Sequence, residues 1–267
     1  MTESRWVRIG LRVMTVLTLA FIYLPLIVVA VYAFNPSRSQ AWPPTGFSLH
    51  WFSEAFASTR VLSAFLTSVT AAAGATLIAL VLGTAAALAV QRFRFFGRES
   101  VSFLFVLPIA LPGVVTGIAL SATFRTIGIN FGLQTVIIGH ATFCVVIAYN
   151  NVIARLRRMP RSAEEASADL GADTFGTFRR VTLPLLRTAL LSGGLLAFAL
   201  SFDEVIVTNF TAGPGTETIP LYILGAIQRP NEVPVVNVVA LLLILLSVIP
   251  VWLAQRISGA ETVGASR

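Results

Sequence analysis

Asp203 and Glu204 stand side by side in an otherwise apolar run, LLRTALLSGGLLAFALSFDEVIVTNFTAG. A carboxylate near the centre of a bilayer costs about 2.5–3.5 kcal/mol even on the lenient insertion scale, so two adjacent acids there need a reason. Taken as one helix, the segment puts Ser201, Glu204 and Thr208 at i, i+3 and i+7, a polar stripe facing a helix bundle. On an outward-opening path such a negative stripe favours a cationic substrate. Three roles stay open for it: contact with substrate, control of an outer gate, or a structural pair that is protonated or bonded to hydroxyls or a neighbouring subunit.

Other chemistries are excluded by what the chain lacks. All 19 basic residues are arginine, which removes the lysine that a phosphate-binding P-loop or a Schiff base requires. Cys144 is the single cysteine and His50 and His140 the only histidines, so no intrachain disulfide and no histidine- or cysteine-rich metal cluster can form. Neither Gly-x-Ser-x-Gly nor His-Glu-x-x-His occurs, which argues against an intramembrane hydrolase. His140, alone in an apolar span, reads as a hydrogen-bonded packing residue rather than a proton relay. Tyr149, Asn150 and Asn151 read as interhelical hydrogen-bonding groups ahead of substrate-binding ones, and Trp42, Phe47, Trp51 and Phe52 as an interfacial aromatic belt or, alternatively, part of a docking surface for a partner protein.

The elements that must position these residues are membrane helices. With 56% hydrophobic and 12% charged residues and a mean hydropathy of +0.83, the chain is too apolar for an ordinary water-soluble domain. Crossing a bilayer core takes about 20 apolar residues, and six runs fit: residues 10–33, 61–90, 101–123, 132–152, 188–210 and 236–255. The basic start before the first run resembles a signal peptide, yet no small-residue cleavage pattern precedes Phe34, so that run reads as a retained helix. Placing both termini in the cytoplasm leaves Arg5, Arg8, Arg12, Arg92, Arg94, Arg98, Arg155, Arg157, Arg158, Arg161, Arg179, Arg180, Arg187, Arg256 and Arg267 inside. Only Arg38, Arg60, Arg125 and Arg229 fall outside, which favours this orientation. The arginines are interleaved with apolar spans rather than gathered on one soluble face, which argues against a nucleic-acid partner. In the third run, Pro108, Pro112, Gly113 and Gly117 predict a kink and close helix approach, as a packing feature or, alternatively, as a hinge or pathway element.

The inner loop, RLRRMPRSAEEASADLGADTFGTFRRVTLPLLRTAL, is too charged for lipid and too patterned for a slack connector. Ser162 and Glu165 have capping-box spacing, Gly171 reads as a helix stop, and Ala172–Arg180 as a second short helix before Pro184 turns the chain back into the membrane. The spacing predicts a helix-turn-helix knob. Glu165, Ala166, Ser167, Gly171, Val181, Leu183 and Pro184 resemble the EAA loop of ABC importer permeases, with Ser167 and Val181 departing from the usual alanine and isoleucine. The stretch from Ser201 to Leu242, with PPTGFSLHWFSEAF after the first helix, is similar to the permeases of spermidine/putrescine-type ABC importers.

That resemblance implies an all-α integral membrane protein of the type I importer permease fold, with six transmembrane helices and both termini cytoplasmic. Residues 1–60 would be the first helix and outer loop, 61–256 the permease core with its coupling loop at 155–187, and 257–267 a short cytoplasmic tail. It implies a multi-pass subunit of the inner membrane with no catalytic site, whose partners are an ABC ATPase dimer, a second homologous permease, an extracytoplasmic substrate-binding protein and membrane lipid. The chain itself would bind no cofactor, ATP and Mg residing on the ATPase. The substrate implied is a polyamine, with another small organic cation or amino compound as the alternative. The rival reading from the residues is a stand-alone secondary transporter coupling protons or sodium through the acidic pair. The absence of inverted repeats and the patterned inner loop argue against it.

Overall fold

The computed structural model describes residues 5–264 apart from 94, 161 and 230. Arg94, Arg161 and Arg267 of the arginine census therefore lie outside the described residues, as do residues 265–267 of the expected tail; residues 257–264 continue the last helix. Every regular element among the described residues is helical. In chain order they are α1 (Arg5–Ala33), α2 (His50–Ala57), α3 (Thr59–Arg92), α4 (Arg98–Ala110), α5 (Gly113–Thr126), α6 (Leu133–Arg158), α7 (Ser162–Asp169), α8 (Thr174–Thr177), a π-helical turn (Phe178–Thr182), α9 (Leu183–Phe202), α10 (Ile206–Thr211), α11 (Ile219–Ala226) and α12 (Val233–Gly264).

Among the described residues, four uninterrupted helical runs are long and apolar enough to cross a membrane: α1, α3, α6 and the run Thr174–Phe202. The third expected span is not one helix. Its backbone breaks at Leu111, which is extended (φ −81°, ψ 138°) because the following Pro112 disfavours the helical region for its predecessor. Pro108 stays inside α4, so the predicted kink is a full interruption at the second proline.

The chain divides into two compact units. In the unit formed by the residues up to Leu62 with Tyr222–Leu246, the segment after α1 is folded around Asn35. Its side-chain oxygen accepts from the backbone of Ser37 and Thr45 and from the Thr45 hydroxyl, and its carbonyl accepts from the Trp51 indole at 2.8 Å. Trp51 is thus a buried strut rather than a member of an interfacial belt, whereas Trp42 and Phe47 are exposed. Glu232 pairs with both Arg60 and Arg229, at 3.5 and 2.9 Å.

The unit formed by Ser63–Leu221 with the residues from Ser247 onward is built on α6, which packs against α9, α4 and α10. Close packing follows from small residues. Ala71, Ala75, Ala79, Gly83 and Ala87 recur every four positions along the buried face of α3. In lipid there is little hydrophobic drive between helices, so association rests on backbones that can approach closely. At Gly83 they do: a Cβ there would lie 2.8 Å from both Ala148 Cβ and the Tyr149 nitrogen. Gly117 of α5 likewise faces Phe210 of α10, whose ring a Cβ would meet at 2.6 Å. We expect Gly83→Val to force α3 off α6 at a cost of about 1–3 kcal/mol. Lower membrane abundance and a lower melting temperature in detergent would report it; an unchanged melting temperature would contradict the close crossing.

Candidate functional site: a knob joined by one helical run to a broken polar segment

The inner loop folds into a knob. α7 ends in a Schellman motif: Ala172 N–H donates to the Ser167 carbonyl at 3.1 Å and Gly171 N–H to that of Ala168 at 2.9 Å. Gly171 sits at φ +80°, where a Cβ is disfavoured. The second helix begins at Thr174 rather than at residue 172, capped by Asp173, whose Oδ1 accepts from Gly176 N–H at 2.8 Å. Ser167, where the motif has alanine, uses its hydroxyl to join α7 to α8 through Thr177 Oγ1 at 3.0 Å.

Pro184 does not turn the chain. α8, the π-turn and α9 form one run from Thr174 to Phe202, with Leu183 N–H donating to the Phe178 carbonyl five residues back. The widened turn makes room just where the proline ring would otherwise press on the carbonyl four residues before it. Knob and transmembrane helix are therefore mechanically continuous. Arg155 Nε, on α6, donates to the Leu185 carbonyl at 3.0 Å beside this junction.

The reciprocal capping box expected between Ser162 and Glu165 is not formed among the described residues, because Ser162 is itself the first helical residue. Glu165 is exposed. Its neighbour Glu164 does the tying: its carboxylate pairs with Arg92 at the end of α3 and accepts from the buried Thr182 hydroxyl at 2.7 Å. Arg92 also donates to Thr182 Oγ1 at 2.9 Å. Three elements thus meet at one charged knot, beside a cleft of about 330 Å³ lined by Arg92, Arg157, Met159, Pro160, Glu164 and Glu165. On the knob's outer side Leu170 and Phe175 project into solvent, 90% and 68% exposed. Ala166, Leu183 and Pro184 are also exposed and Val181 is half-buried. Sequence reasoning missed Arg92, Glu164, Leu170 and Phe175. An arginine closing one helix and a leucine preceding the glycine were the available signals.

The other end of the run carries the acidic pair, and here the expected continuous helix is corrected. α9 stops at Phe202 and α10 starts at Ile206, so Ser201, Glu204 and Thr208 do not form a stripe on one helix. The residues between them are held otherwise. Glu204 Oε1 accepts from Val207 N–H at 2.9 Å, satisfying a backbone donor at the start of α10, a bond that competes with helix continuation. Asp203 is exposed, and its carboxylate has no hydrogen-bond or ion-pair partner among the described residues. Ser201 and Thr208 are buried and both bond His140 of α6, each at 2.8 Å. His140 is hydrogen-bonded, as its isolation in an apolar span implied, and the two hydroxyls assigned to the stripe are its partners.

The acids divide accordingly: one carboxylate is consumed by the fold and one is left free. Tyr149 bonds Ser102 of α4 at 2.8 Å, the interhelical use expected of it, while Asn151 turns back to the Ile147 carbonyl of its own helix at 2.9 Å.

Comparison with known proteins adds a family, two relatives and two structures of similar fold. The family described as "binding-protein-dependent transport system inner membrane component" matches residues 79–260. The putrescine transport system permease protein PotI of Escherichia coli is 35% identical over 240 residues, 87% of this chain and 84% of that one. The spermidine/putrescine transport system permease protein PotC of Haemophilus influenzae is 33% identical over 240 residues, 90% of this chain and 92% of that one. In fold, the chain is similar to a subunit of a bacterial ABC transporter involved in the import of alginate, with a TM-score of 0.71 at 18% identity over 96% of this chain and 99% of that one. A chain of the MetNI methionine ABC transporter gives a TM-score of 0.56 at 17% identity over 76% of this chain and 98% of that one.

Proposed function

The chain belongs to the binding-protein-dependent transport system inner membrane component family, the permeases of ABC importers, and we propose, from its similarity to PotI and PotC, that it carries a polyamine of the putrescine or spermidine type across the cytoplasmic membrane. As a permease subunit it contributes the path, and ATP is hydrolysed by a separate ATPase. The observation that carries the mechanism is the uninterrupted run Thr174–Phe202, which joins the knob to the acidic break. An ATPase closing on the knob displaces the foot of this rod, and the displacement reaches Asp203 at its far end. Rigidity suits the task.

In the full cycle the knob, with Glu165 exposed for polar contact and Gly171 making its turn, docks in a cleft of one ATPase of a pair. A second, similar permease completes the path and an extracytoplasmic binding protein delivers the solute. Both termini lie in the cytoplasm, with α4 and α5 together making the third of six crossings. ATP-driven closure opens the path outward, the solute is released near Asp203, and hydrolysis resets the inward-facing state. The free carboxylate suits an ammonium group, and the polyamine named in PotI and PotC supports that choice.

A different aminoalkyl solute is the second reading. It is favoured by similarity to the putative 2-aminoethylphosphonate permease PhnV of Salmonella choleraesuis, 31% identical over 91% of this chain and 95% of that one.

The test is uptake of labelled putrescine and spermidine by cells lacking this gene, with and without the wild-type gene restored, in energised and ATP-depleted cells whose membrane potential is maintained. Uptake that returns with the gene and vanishes with ATP is the expected result. Uptake surviving ATP depletion would sink the ABC mechanism. Restored uptake of 2-aminoethylphosphonate but of neither polyamine would replace the substrate.

A further inference from the structure

His140 connects the two sides of the Asp203–Val205 break. It is wholly buried in α6, with Nδ1 2.8 Å from Ser201 Oγ, one residue before the end of α9, and Nε2 2.8 Å from Thr208 Oγ1 on α10. The directions of these bonds follow from proton counting. Thr208 has one hydroxyl proton, and we assign it to the Glu204 carbonyl of its own turn, at 2.8 Å, the usual use of a threonine hydroxyl toward the residue four before it. Its oxygen must therefore accept from the ring, so Nε2 carries hydrogen. The Ser201 hydroxyl has no other acceptor among the described residues, so it donates to Nδ1. The result is one directed chain: Ser201 O–H to Nδ1, Nε2–H to Thr208 Oγ1, and Thr208 O–H to the Glu204 carbonyl.

We propose that His140 is a positioning residue for solute passage, a neutral Nε2–H imidazole that pins the broken segment to α6 and so fixes where the Asp203 carboxylate stands. A packing residue would need only shape. Here both nitrogens are spent, one on each side of the break, and the chain ends on the backbone of the acidic pair itself. Buried hydrogen-bond networks of this kind act as a unit, because cutting one member leaves a buried donor or acceptor without a partner. The transport role rests on the importer reading given above; the tautomer does not.

Two measurements test this. The chain contains only two histidines, so His50→Gln leaves a single imidazole for ¹⁵N magnetic resonance of the labelled protein in lipid. A neutral ring protonated at Nε2 is expected; protonation at Nδ1, or a doubly protonated ring, would overturn the assignment. This arm is readable whatever solute is carried. In the uptake assay, Ser201→Ala, Thr208→Val and His140→Phe should each raise KM for the polyamine by about tenfold, with Vmax at matched abundance changed less than about twofold. Thr208→Ser, which keeps the hydroxyl, should retain the wild-type KM. Combining His140→Phe with Ser201→Ala should add little to either alone. Fully additive effects, or abundance lost with KM unchanged in all three variants, would reduce His140 to packing and overturn the proposal. No uptake by the wild type would instead strike the importer reading and leave the tautomer result standing.

Discussion

Replacing Leu170 and Phe175 together by glutamate will leave a chain that reaches the membrane but neither retains the ATPase on purification nor supports uptake. Both side chains are already in solvent, at 90% and 68% exposure, and they flank the turn at Gly171, which holds them with its backbone rather than with packing. Charging them therefore costs the isolated fold little. Burying a leucine or phenylalanine contributes about 1.5–3 kcal/mol each, so losing two anchors removes roughly 3–6 kcal/mol of docking energy, or about two to four decades of affinity. Two carboxylates pressed into the ATPase cleft add a desolvation penalty. Single substitutions should lie between wild type and the pair. Co-purification of the ATPase with the double variant at wild-type yield would show that the knob docks elsewhere, most directly through the charged knot of Arg92, Glu164 and Thr182.

How much of this was legible in the sequence differs from element to element. The knob was, because Gly171 and the spacing around it are local instructions: a positive φ and a helix stop need only the residues that carry them. The break in the third span was partly legible, since Pro112 constrains its predecessor directly. The break at Asp203 was not. No proline or glycine marks it, and SFDEVIV reads as easily as a continuing apolar helix interrupted by two acids. What ends α9 there includes a bond from the Val207 N–H to the Glu204 carboxylate and a pair of bonds to a histidine some sixty residues earlier, and periodicity carries no information about such partners. Pro184 failed in the opposite sense. Proline normally stops a helix, but a preceding π-turn lets this one pass, and a one-residue register slip leaves no mark in composition. The small residues at every fourth position of α3 went unread, because their meaning depends on knowing which helix they meet.

Asp203→Asn should cost far more transport than Glu204→Gln, although the sequence presents the two acids as an undivided pair. Glu204 uses its Oε1 to accept from Val207 N–H at 2.9 Å, and a glutamine can offer the same oxygen to the same donor. Uptake by Glu204→Gln should stay within about twofold of wild type, and only removal of the acceptor, as in Glu204→Leu, should weaken the start of α10, by about 0.5–2 kcal/mol. Asp203 has no such duty in the fold. Its exposed carboxylate is free for a passing ammonium group, and a charge-assisted hydrogen bond of that kind contributes about 1.5–3 kcal/mol. Neutralising it at constant shape should raise KM by about tenfold to a hundredfold, with membrane abundance unchanged. Asp203→Glu keeps the charge but carries it one methylene further from the backbone, and should recover part of the loss. A silent Asp203→Asn beside an inactive Glu204→Gln would reverse the roles of the two acids and place the solute contact at the start of α10.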